Sequence, residues 1–384
     1  MRHLILGAGC AGLSLACALL DAGVEHPIAL VDARTTFGRD RTWCLFDVRP
    51  TPFAELASHR WSSWEIGGVV RHDDRRPYLR LDGADVYAHA LARLDRAPNV
   101  DLRLGESVRT VGDGLAVTDR GELRADLVYD ALSLGSPALR GLRPMAWQTF
   151  LGHEVEVARP VFDPGLATLM DFDVPQPAGG VAFLYVLPFD ERRALVEHTV
   201  IGTHAVPAAE RRRAVDEHLD RRGAGRRTVT HEERGAIPMT VDGPSRPGPR
   251  HAIPLGVAGG AVRPSSGYAF GRIQAQVADV VADVVAGRTP DGRVGSARTR
   301  ALDAIFLRVL AAEPERFPDH FRRLAERVPA APLARFLGDA GTVLDDARIV
   351  AAMPKTPFGV AAMRVPGVAP VGGRATVDPW SGDG

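Results

Sequence analysis

The feature that most constrains the fold of this chain is a glycine-rich turn between an apolar strand and a helix at its N-terminus. The sequence RHLILGAGCAGLSLACALLDAG predicts a strand over His3–Leu6, a G-x-G-x-x-G turn over 7–12 and a helix through 13–20. A second apolar strand over 28–31 ends in Asp32, about 20 residues after the glycines. This order predicts a Rossmann-like dinucleotide-binding domain.

Each glycine of the turn has its own predicted role in holding a dinucleotide. Gly7 makes the tight turn, Gly9 lets the backbone approach a pyrophosphate, and Gly12 lets helix and strand pack closely. The helix N-terminus supplies N–H donors and the positive end of the helix dipole. Asp32 is expected to accept from the adenosine ribose hydroxyls. The predicted cofactor contacts in the turn are Gly7, Gly9, Cys10, Ala11 and Gly12.

Two later segments favour FAD over NAD. Residues 99–133 predict a strand, a turn and a β-meander that ends in an apolar strand carrying Asp130, an order seen in many two-domain flavoproteins. The adenine is expected to lie against the backbone of 106–108. A turn of small residues from Gly256, followed by a long helix, would face the flavin end. The other predicted cofactor contacts are Arg41, Val108, Asp130, Gly260, Pro264, Gly267 and Tyr268.

The flavin end departs from the pattern of flavin-dependent hydroxylases and halogenases. Enzymes with this layout carry G-D-A-A-H-x-x-x-P in the turn. Aligned on Pro264, their Asp falls on Val257 and their His falls on Gly260. The turn therefore differs from the oxygenase pattern where those enzymes hold the flavin ribityl chain.

Seven segments in chain order resemble the motifs of the bacterial lycopene cyclases. They are DRTWCLFD (40–47), WQTFLGHEVE (147–156), LMDFDV (169–174), FLYVLPFDERRALVEHT (183–199), ERGAIPM (233–239), AGGAVRPSSGYAF (258–270) and DDARIVAAMPKTP (345–357). The fourth is similar to the family pattern F-x-Y-x-L-P followed by L-[IL]-E-[DE]-T. The resemblance covers nearly the whole chain.

The resemblance implies a fold, a reaction and a catalytic group. Members of the family are FAD-dependent enzymes that cyclise the ψ ends of lycopene to β-ionone rings. They need reduced flavin, with NAD(P)H as its reductant, although the reaction has no net redox change. The first acid of the E-[DE]-T motif is their catalytic carboxylate, and it falls on Glu197. The family has Asp or Glu where this chain has His198.

The residues around Glu197 agree with such a role. A carboxylate within an apolar strand is costly unless it is paired or used, and beside a carbocation it can act as base and electrostatic partner. Strand alternation places Glu197 on one face with Leu195 and Thr199, and His198 on the other. Asp171, in the motif that resembles M-D, is the second candidate carboxylate. The candidate catalytic residues are Glu197, His198 and Asp171.

Aromatic side chains in the matched segments have two possible roles. They can line a polyene tunnel and stabilise a cation through their ring faces, or they can pack in the core. The residues concerned are Trp43, Trp147, Phe183, Tyr185 and Tyr268.

The expected architecture is an α/β, two-domain flavoprotein. Its predicted parts are a discontinuous FAD-binding domain (1–135 and 250–290), an antiparallel-sheet substrate domain (136–249), a helical C-terminal region (291–365) and a loose tail (366–384). From about residue 297, apolar residues recur at helical spacing. These helices either cap the other domains or rest an amphipathic face on a membrane.

Composition limits the partners of the chain. Its 384 residues include 47 basic and 47 acidic side chains, so zero net charge gives no attraction to nucleic acid. The three cysteines form no C-x-x-C pair and the histidines no ligand spacing, so we expect no metal site and a reducing cytoplasm. No run of about 18 apolar residues predicts a transmembrane helix. A lipophilic polyene substrate implies contact with the inner face of the cell membrane.

Three other functions fit the same fold. The first is the same cyclisation chemistry on another prenyl or meroterpenoid chain, which His198 keeps open. The second is a flavin-dependent monooxygenase or prenyl reductase, against which Val257 and Gly260 count. The third is a flavin-binding protein without catalytic activity.

Overall fold

A computed structural model of the chain describes residues 1–136, 139, 144–204, 206–241 and 252–363. The predicted loose tail at 366–384 and the predicted domain junction at 249–250 lie outside the described residues. Within them, the predicted α/β class is confirmed: a parallel sheet, a large mainly antiparallel sheet and a helical C-terminal region are present.

Five parallel strands form the sheet that begins at the N-terminus. In spatial order they are β18 (Ala252–Pro254), β12 (Leu127–Asp130), β1 (His3–Leu6), β2 (Ile28–Asp32) and β8 (Val100–Leu104). The helices on one face are α1 (Cys10–Asp21), α2 (Gly83–Asp95) and α4 (Phe270–Val285). The predicted meander packs on the other face as β9 (Val108–Gly112), β10 (Leu115–Thr118) and β11 (Gly121–Arg124). Cover on both faces explains why every residue of β1 and β12 is buried and why most of them are apolar.

Seven strands form the second large sheet. In spatial order they are β17 (Arg227–Met239), β13 (Ala146–Val157), β16 (Arg193–Gly202), β15 (Gly180–Pro188), β14 (Leu166–Asp171), β5 (Ser63–Ile66) and β6 (Val69–His72). All neighbours are antiparallel except β14 and β5. Because β5 and β6 come from the first 135 residues, that segment contributes to both large sheets.

A small antiparallel sheet connects the two large ones. Its strands are β3 (Thr42–Phe46), β7 (Tyr78–Asp82) and β4 (Ala57–Trp61). Alternation along β7 places Tyr78 in the core of the seven-stranded sheet, whereas Leu79 and Leu81 belong to the core of the parallel sheet. The small sheet therefore packs against both cores.

Helices cover both faces of the seven-stranded sheet. Helix α3 (Ala208–Arg221) packs on its outer face. The helices on its inner face are α5 (Ala297–Ala312), α6 (Phe317–Arg327), α7 (Ala330–Leu337), α8 (Val343–Ala352) and α9 (Lys355–Met363). Among the helices in the described ranges, none combines the length and the apolar composition needed to cross a bilayer.

Candidate active site

A large cavity joins the glycine turn to the inner face of the seven-stranded sheet. Its volume is about 1050 Å³, and its wall continues to helices α8 and α9. The lining residues that were predicted as cofactor contacts are Gly7, Gly9, Cys10, Ala11, Asp32, Arg41, Val108, Gly267 and Tyr268. Of the three predicted catalytic residues, Glu197 alone lines the cavity.

The glycine turn is packed tightly at its two ends and open in the middle. Gly7 has a φ of +102°, and a Cβ atom there would lie 2.5 Å from the carbonyl oxygen of Ala131. A Cβ atom at Gly12 would lie 1.9 Å from the carbonyl oxygen of Gly7. At Gly9, no atom lies within 4 Å of the corresponding position. The backbone is therefore accessible from the cavity where a pyrophosphate would approach.

Asp32 is held by the turn and by a neighbouring arginine. One carboxylate oxygen accepts from the Ala8 N–H at 2.7 Å, and the other accepts from the backbone and Nε of Arg34 at 2.8 and 3.0 Å. Burial acts to raise the pKa of Asp32, but these hydrogen bonds and the Arg34 charge lower it overall. The guanidinium of Arg34 stands 4.5 Å from the ring centre of Phe37. The acidic end of β2 is thus an ionised, oriented acceptor at the cavity wall.

Four of the predicted cofactor residues do not line the cavity. They are Gly12, Asp130, Gly260 and Pro264. The Asp130 carboxylate accepts from the N–H of Leu132 at 3.2 Å and the hydroxyl of Ser136 at 2.5 Å, and burial raises its pKa. It therefore shapes the loop after β12. Gly260 has a φ of +76°, which favours glycine in this turn.

Two buried carboxyl groups meet in the sheet wall. Gly152 of β13 is paired with Glu197 of β16 on one side and with Glu233 of β17 on the other. A Cβ atom on Gly152 would lie 3.2 Å from the Glu197 Cβ and 3.3 Å from the Glu233 Cγ. The Thr199 hydroxyl donates to Glu197 at 2.7 Å, and the Thr42 hydroxyl donates to Glu233 at 2.7 Å. Glycine thus leaves the two carboxyls side by side, and we call them the Glu197–Glu233 pair.

Burial and mutual repulsion shift the titration of this pair. Burial and the charge of Glu233 raise the pKa of Glu197 well above the usual carboxyl range. Burial also raises the pKa of Glu233, although the Thr42 hydrogen bond and the Arg80 charge oppose the shift. The pair therefore keeps a proton at a pH at which exposed carboxyls are ionised.

A separate ion-pair network lies beside the pair. Glu154 accepts from Arg80 at 2.7 Å and from Arg39 at 2.6 Å, and Arg39 also donates to Asp82 at 2.8 Å. Arg80 is only 3% exposed. These acidic groups have cationic partners, so their electrostatic setting differs from that of the Glu197–Glu233 pair.

Aromatic side chains line the cavity around the pair. Tyr185 of β15 lies directly across the strand ladder from Glu197. Its hydroxyl donates to the Tyr78 hydroxyl at 2.6 Å, and the Tyr78 and Tyr268 hydroxyls are 2.8 Å apart. Burial raises the pKa of all three phenols. The aromatic residues predicted for a tunnel that do line the cavity are Trp43, Phe183, Tyr185 and Tyr268, whereas Trp147 does not.

The structure does not bring His198 or Asp171 to the cavity. Strand alternation turns His198 to the outer face, where burial and the Arg211 charge lower its pKa to about 4. Asp171 ends β14, accepts from the Asp173 N–H at 3.0 Å and lies 3.6 Å from Nδ1 of His218 on α3. Burial lowers the pKa of His218 to about 4, so this contact involves a neutral ring. The second carboxyl beside Glu197 is Glu233, in place of the expected Asp171.

Sequence reasoning missed Glu233, although it begins the ERGAIPM segment. Glu233 and Glu197 are far apart in the sequence, and their strands are both neighbours of β13 in the sheet. The sequence alone therefore gives no sign that the two side chains meet. The available signal was a second carboxylate at the start of a motif that also contains Gly235 and Pro238. Only the sheet order shows that the two carboxyls share one wall.

Comparison with known proteins gives this site its family. The family model described as "Lycopene cyclase protein" matches residues 3–363. The chain belongs to this lycopene cyclase family. The lycopene beta-cyclase of Paracoccus sp. (strain N81106 / MBIC 01143) is 28% identical, over 95% of this chain and 98% of the relative. The lycopene beta-cyclase of Pantoea ananas is 26% identical, over 92% and 95%. The predicted family is thereby confirmed.

Solved structures resemble this lycopene cyclase family member in fold. A geranylgeranyl bacteriochlorophyll reductase-like protein from Thermoplasma acidophilum has a TM-score of 0.57 at 13% identity, over 94% of this chain and 96% of that one. The halogenase PltM, solved with phloroglucinol and FAD, has a TM-score of 0.56 at 14% identity, over 94% and 85%. At these identities the likeness shows the fold alone.

Proposed function

We propose that this chain is a lycopene cyclase that uses reduced FAD to convert the linear ψ ends of lycopene to β-ionone rings. One observation carries the proposal: the buried Glu197 carboxyl lies in an apolar, aromatic cavity wall that continues to a dinucleotide-type glycine turn. The names of the bacterial relatives support lycopene as the substrate.

The glycine turn fits the pyrophosphate of FAD. Gly9, open to the cavity, and the N-terminus of α1 at Cys10 and Ala11 would hold the phosphates, and Asp32 would accept from the ribose. The loop through Gly267 and Tyr268 would hold the flavin end. When bound, reduced FAD supplies an electron-rich ring system beside the substrate, and NAD(P)H is the proposed source of its electrons.

The proposed reaction is an acid–base isomerisation within the cavity. A proton adds to the terminal double bond of a ψ end, the ring closes on the cation, and a neighbouring C–H proton leaves. Glu197 stabilises the positive charge and accepts the leaving proton. Apolar neighbours such as Leu195 and Phe183 exclude water, which would otherwise trap the cation as an alcohol.

A product assay tests the proposal. The wild-type chain and Glu197→Gln are expressed in lycopene-accumulating cells, and the pigments are separated. We expect cyclic carotenes from the wild type alone. Unchanged lycopene beside a folded, flavin-containing wild-type protein would refute a carotenoid substrate, and other prenyl chains would then be assayed. Consumption of one NAD(P)H per product would instead indicate a flavin oxidoreductase.

The C-terminal helices support contact with a membrane surface. Five large apolar side chains of α8 and α9 are exposed: Val343, Leu344, Val350, Val360 and Met363. Val350 also lines the cavity, together with Met353, which follows α8, and Phe358 of α9. The exposed face therefore adjoins the cavity, and we propose that it rests on the inner face of the cell membrane and admits the polyene.

Vesicle flotation tests this contact. The wild type is mixed with vesicles of phosphatidylethanolamine and phosphatidylglycerol, beside the double variant Leu344→Ser and Val360→Ser. We expect the double variant to lose most of its flotation. The control is Val70→Ser, since Val70 is also exposed but lies on β6. Equal loss in the control, or no flotation of the wild type, would refute a specific membrane face.

A further inference from the structure

The Glu197–Glu233 pair is built differently from the other buried carboxylates nearby. Glu154 and Asp82 have arginine partners. Across the described ranges of the chain, neither Glu197 nor Glu233 forms an ion pair, and each has a threonine hydroxyl as its hydrogen-bond donor. Two adjacent carboxylates that have no ion-pair partner repel each other strongly when buried, so one proton shared between them is the favourable state.

The backbone enforces this proximity. Glu197 and Glu233 belong to strands that are both paired with β13, and both lie opposite Gly152. Any larger residue at Gly152 would place its Cβ within 3.3 Å of both side chains and 3.0 Å from Leu195 Cδ1. The two carboxyls and the two threonines line the cavity, whereas Gly152 does not. The pair thus faces the space in which we place the substrate.

We propose that Glu197 and Glu233 share one proton and that Glu233 is a second catalytic residue of the cyclisation. This inference rests on the proposed function. It assigns the proton donor and the proton acceptor of the reaction to one pair of side chains.

The proton balance of the reaction fits such a pair. The protonated carboxyl gives its proton to the terminal C=C bond, which forms a C–H bond and a carbocation. The electron pair of an internal C=C bond then forms the ring C–C bond and moves the positive charge. Loss of a neighbouring C–H proton to a carboxylate restores a C=C bond and returns the proton to the pair. No electrons leave the substrate, and between the two transfers both carboxylates are ionised beside the cation.

Infrared titration tests the shared proton without any turnover. The carboxyl bands of the purified wild type are followed with pH beside Glu197→Gln, Glu233→Gln and Glu232→Gln. Glu232 is the matched control, because it is the preceding residue on β17 and is paired with Arg212 at 3.0 Å. We expect two coupled steps for the wild type and the control. In Glu233→Gln, the apparent pKa of the upper titration step should fall by about one pH unit or more, because the neighbouring carboxylate charge is removed. An unchanged apparent pKa of the upper step in Glu233→Gln would overturn the proposal.

Turnover then tests the catalytic role of Glu233. We expect Glu233→Gln to lower kcat by on the order of 100-fold or more, with KM and the flavin spectrum unchanged. Glu233→Asp should recover part of the rate, and Glu232→Gln should match the wild type. Loss of bound flavin in both Glu233 variants would overturn a catalytic role in favour of a structural one.

The two readouts separate the failure of each idea. A wild type that leaves lycopene unchanged but shows coupled carboxyl titration refutes the proposed function and retains the shared proton. A wild type that cyclises lycopene as fast as its Glu233→Gln variant retains the function and refutes the role of Glu233.

Discussion

Glu197 and His198 are adjacent in β16, but their side chains lie on opposite faces of the sheet and have different surroundings. Glu197 and His198 are 9% and 4% exposed, and burial is the main cause of the pKa shift of each. It raises the pKa of the carboxyl and lowers that of the imidazole, so both side chains are driven toward their uncharged forms. What differs is the surroundings: Glu197 faces a large cavity and a second carboxyl, whereas His198 faces the layer covered by α3. Burial alone therefore does not mark a catalytic group.

The largest expected effect comes from Glu197→Gln. The amide keeps the shape of the side chain but cannot carry the proton, so we expect cyclisation to fall on the order of 1000-fold. Steady-state product formation from lycopene in detergent or vesicles measures it. Retention of more than a tenth of the wild-type rate would contradict the contrast between the two faces.

The second expected effect is a loss of rate in alkali. Because the pKa of Glu197 is raised, the Glu197 carboxyl is fully protonated at low pH and loses its proton as the pH rises through that pKa. We expect the rate to fall about tenfold per pH unit beyond it, and the stability contributed by the protonated form to be lost in the same direction. Rate and denaturation midpoints are measured across pH. A rate or a stability that falls as the pH is lowered would contradict this prediction.

The third expected effect comes from Gly152→Ala. The added methyl must displace the two carboxyls or Leu195, so we expect a loss of about 1–3 kcal/mol in the free energy of unfolding and a reduced rate. Chemical denaturation and turnover measure the two effects. The control is Gly38→Ala, since no atom lies within 4 Å of a Cβ there. Equal effects at both glycines would contradict a specific close approach.

The smallest expected effect comes from His198→Leu on the outer face. The buried Nδ1 of His198 has no hydrogen-bond partner among the residues that the structure describes. An apolar side chain of similar size should therefore change the free energy of unfolding by about 1 kcal/mol or less. We expect the cyclisation rate to stay within about threefold, because the His198 side chain lies on the face of β16 opposite the cavity. A large loss of rate with normal stability would place His198 in the mechanism after all.

Local patterns in the chain predicted local structure well. The turn at 7–12 and the strand around Glu197 depend on neighbours within a few residues, and the alternation that separates Glu197 from His198 is confirmed. The addition of β5 and β6 to the seven-stranded sheet was not predictable, because strand pairing between distant segments leaves no periodic signal. Glu233 was missed for the same reason, and Asp171 was chosen because a local motif drew attention to it.

The three tyrosine hydroxyls have a mechanical consequence for the cavity. Tyr185 belongs to the seven-stranded sheet, Tyr78 to the small sheet, and Tyr268 to the loop before α4, and all three meet at the Tyr78 oxygen. The conjugated polyene that we propose as substrate is stiff, so the cavity needs fixed dimensions to hold it. The hydrogen bonds at Tyr78 fix the distance between the strand that carries Tyr185 and the loop that carries Tyr268. A shift of about 1 Å between the two would break these directional bonds.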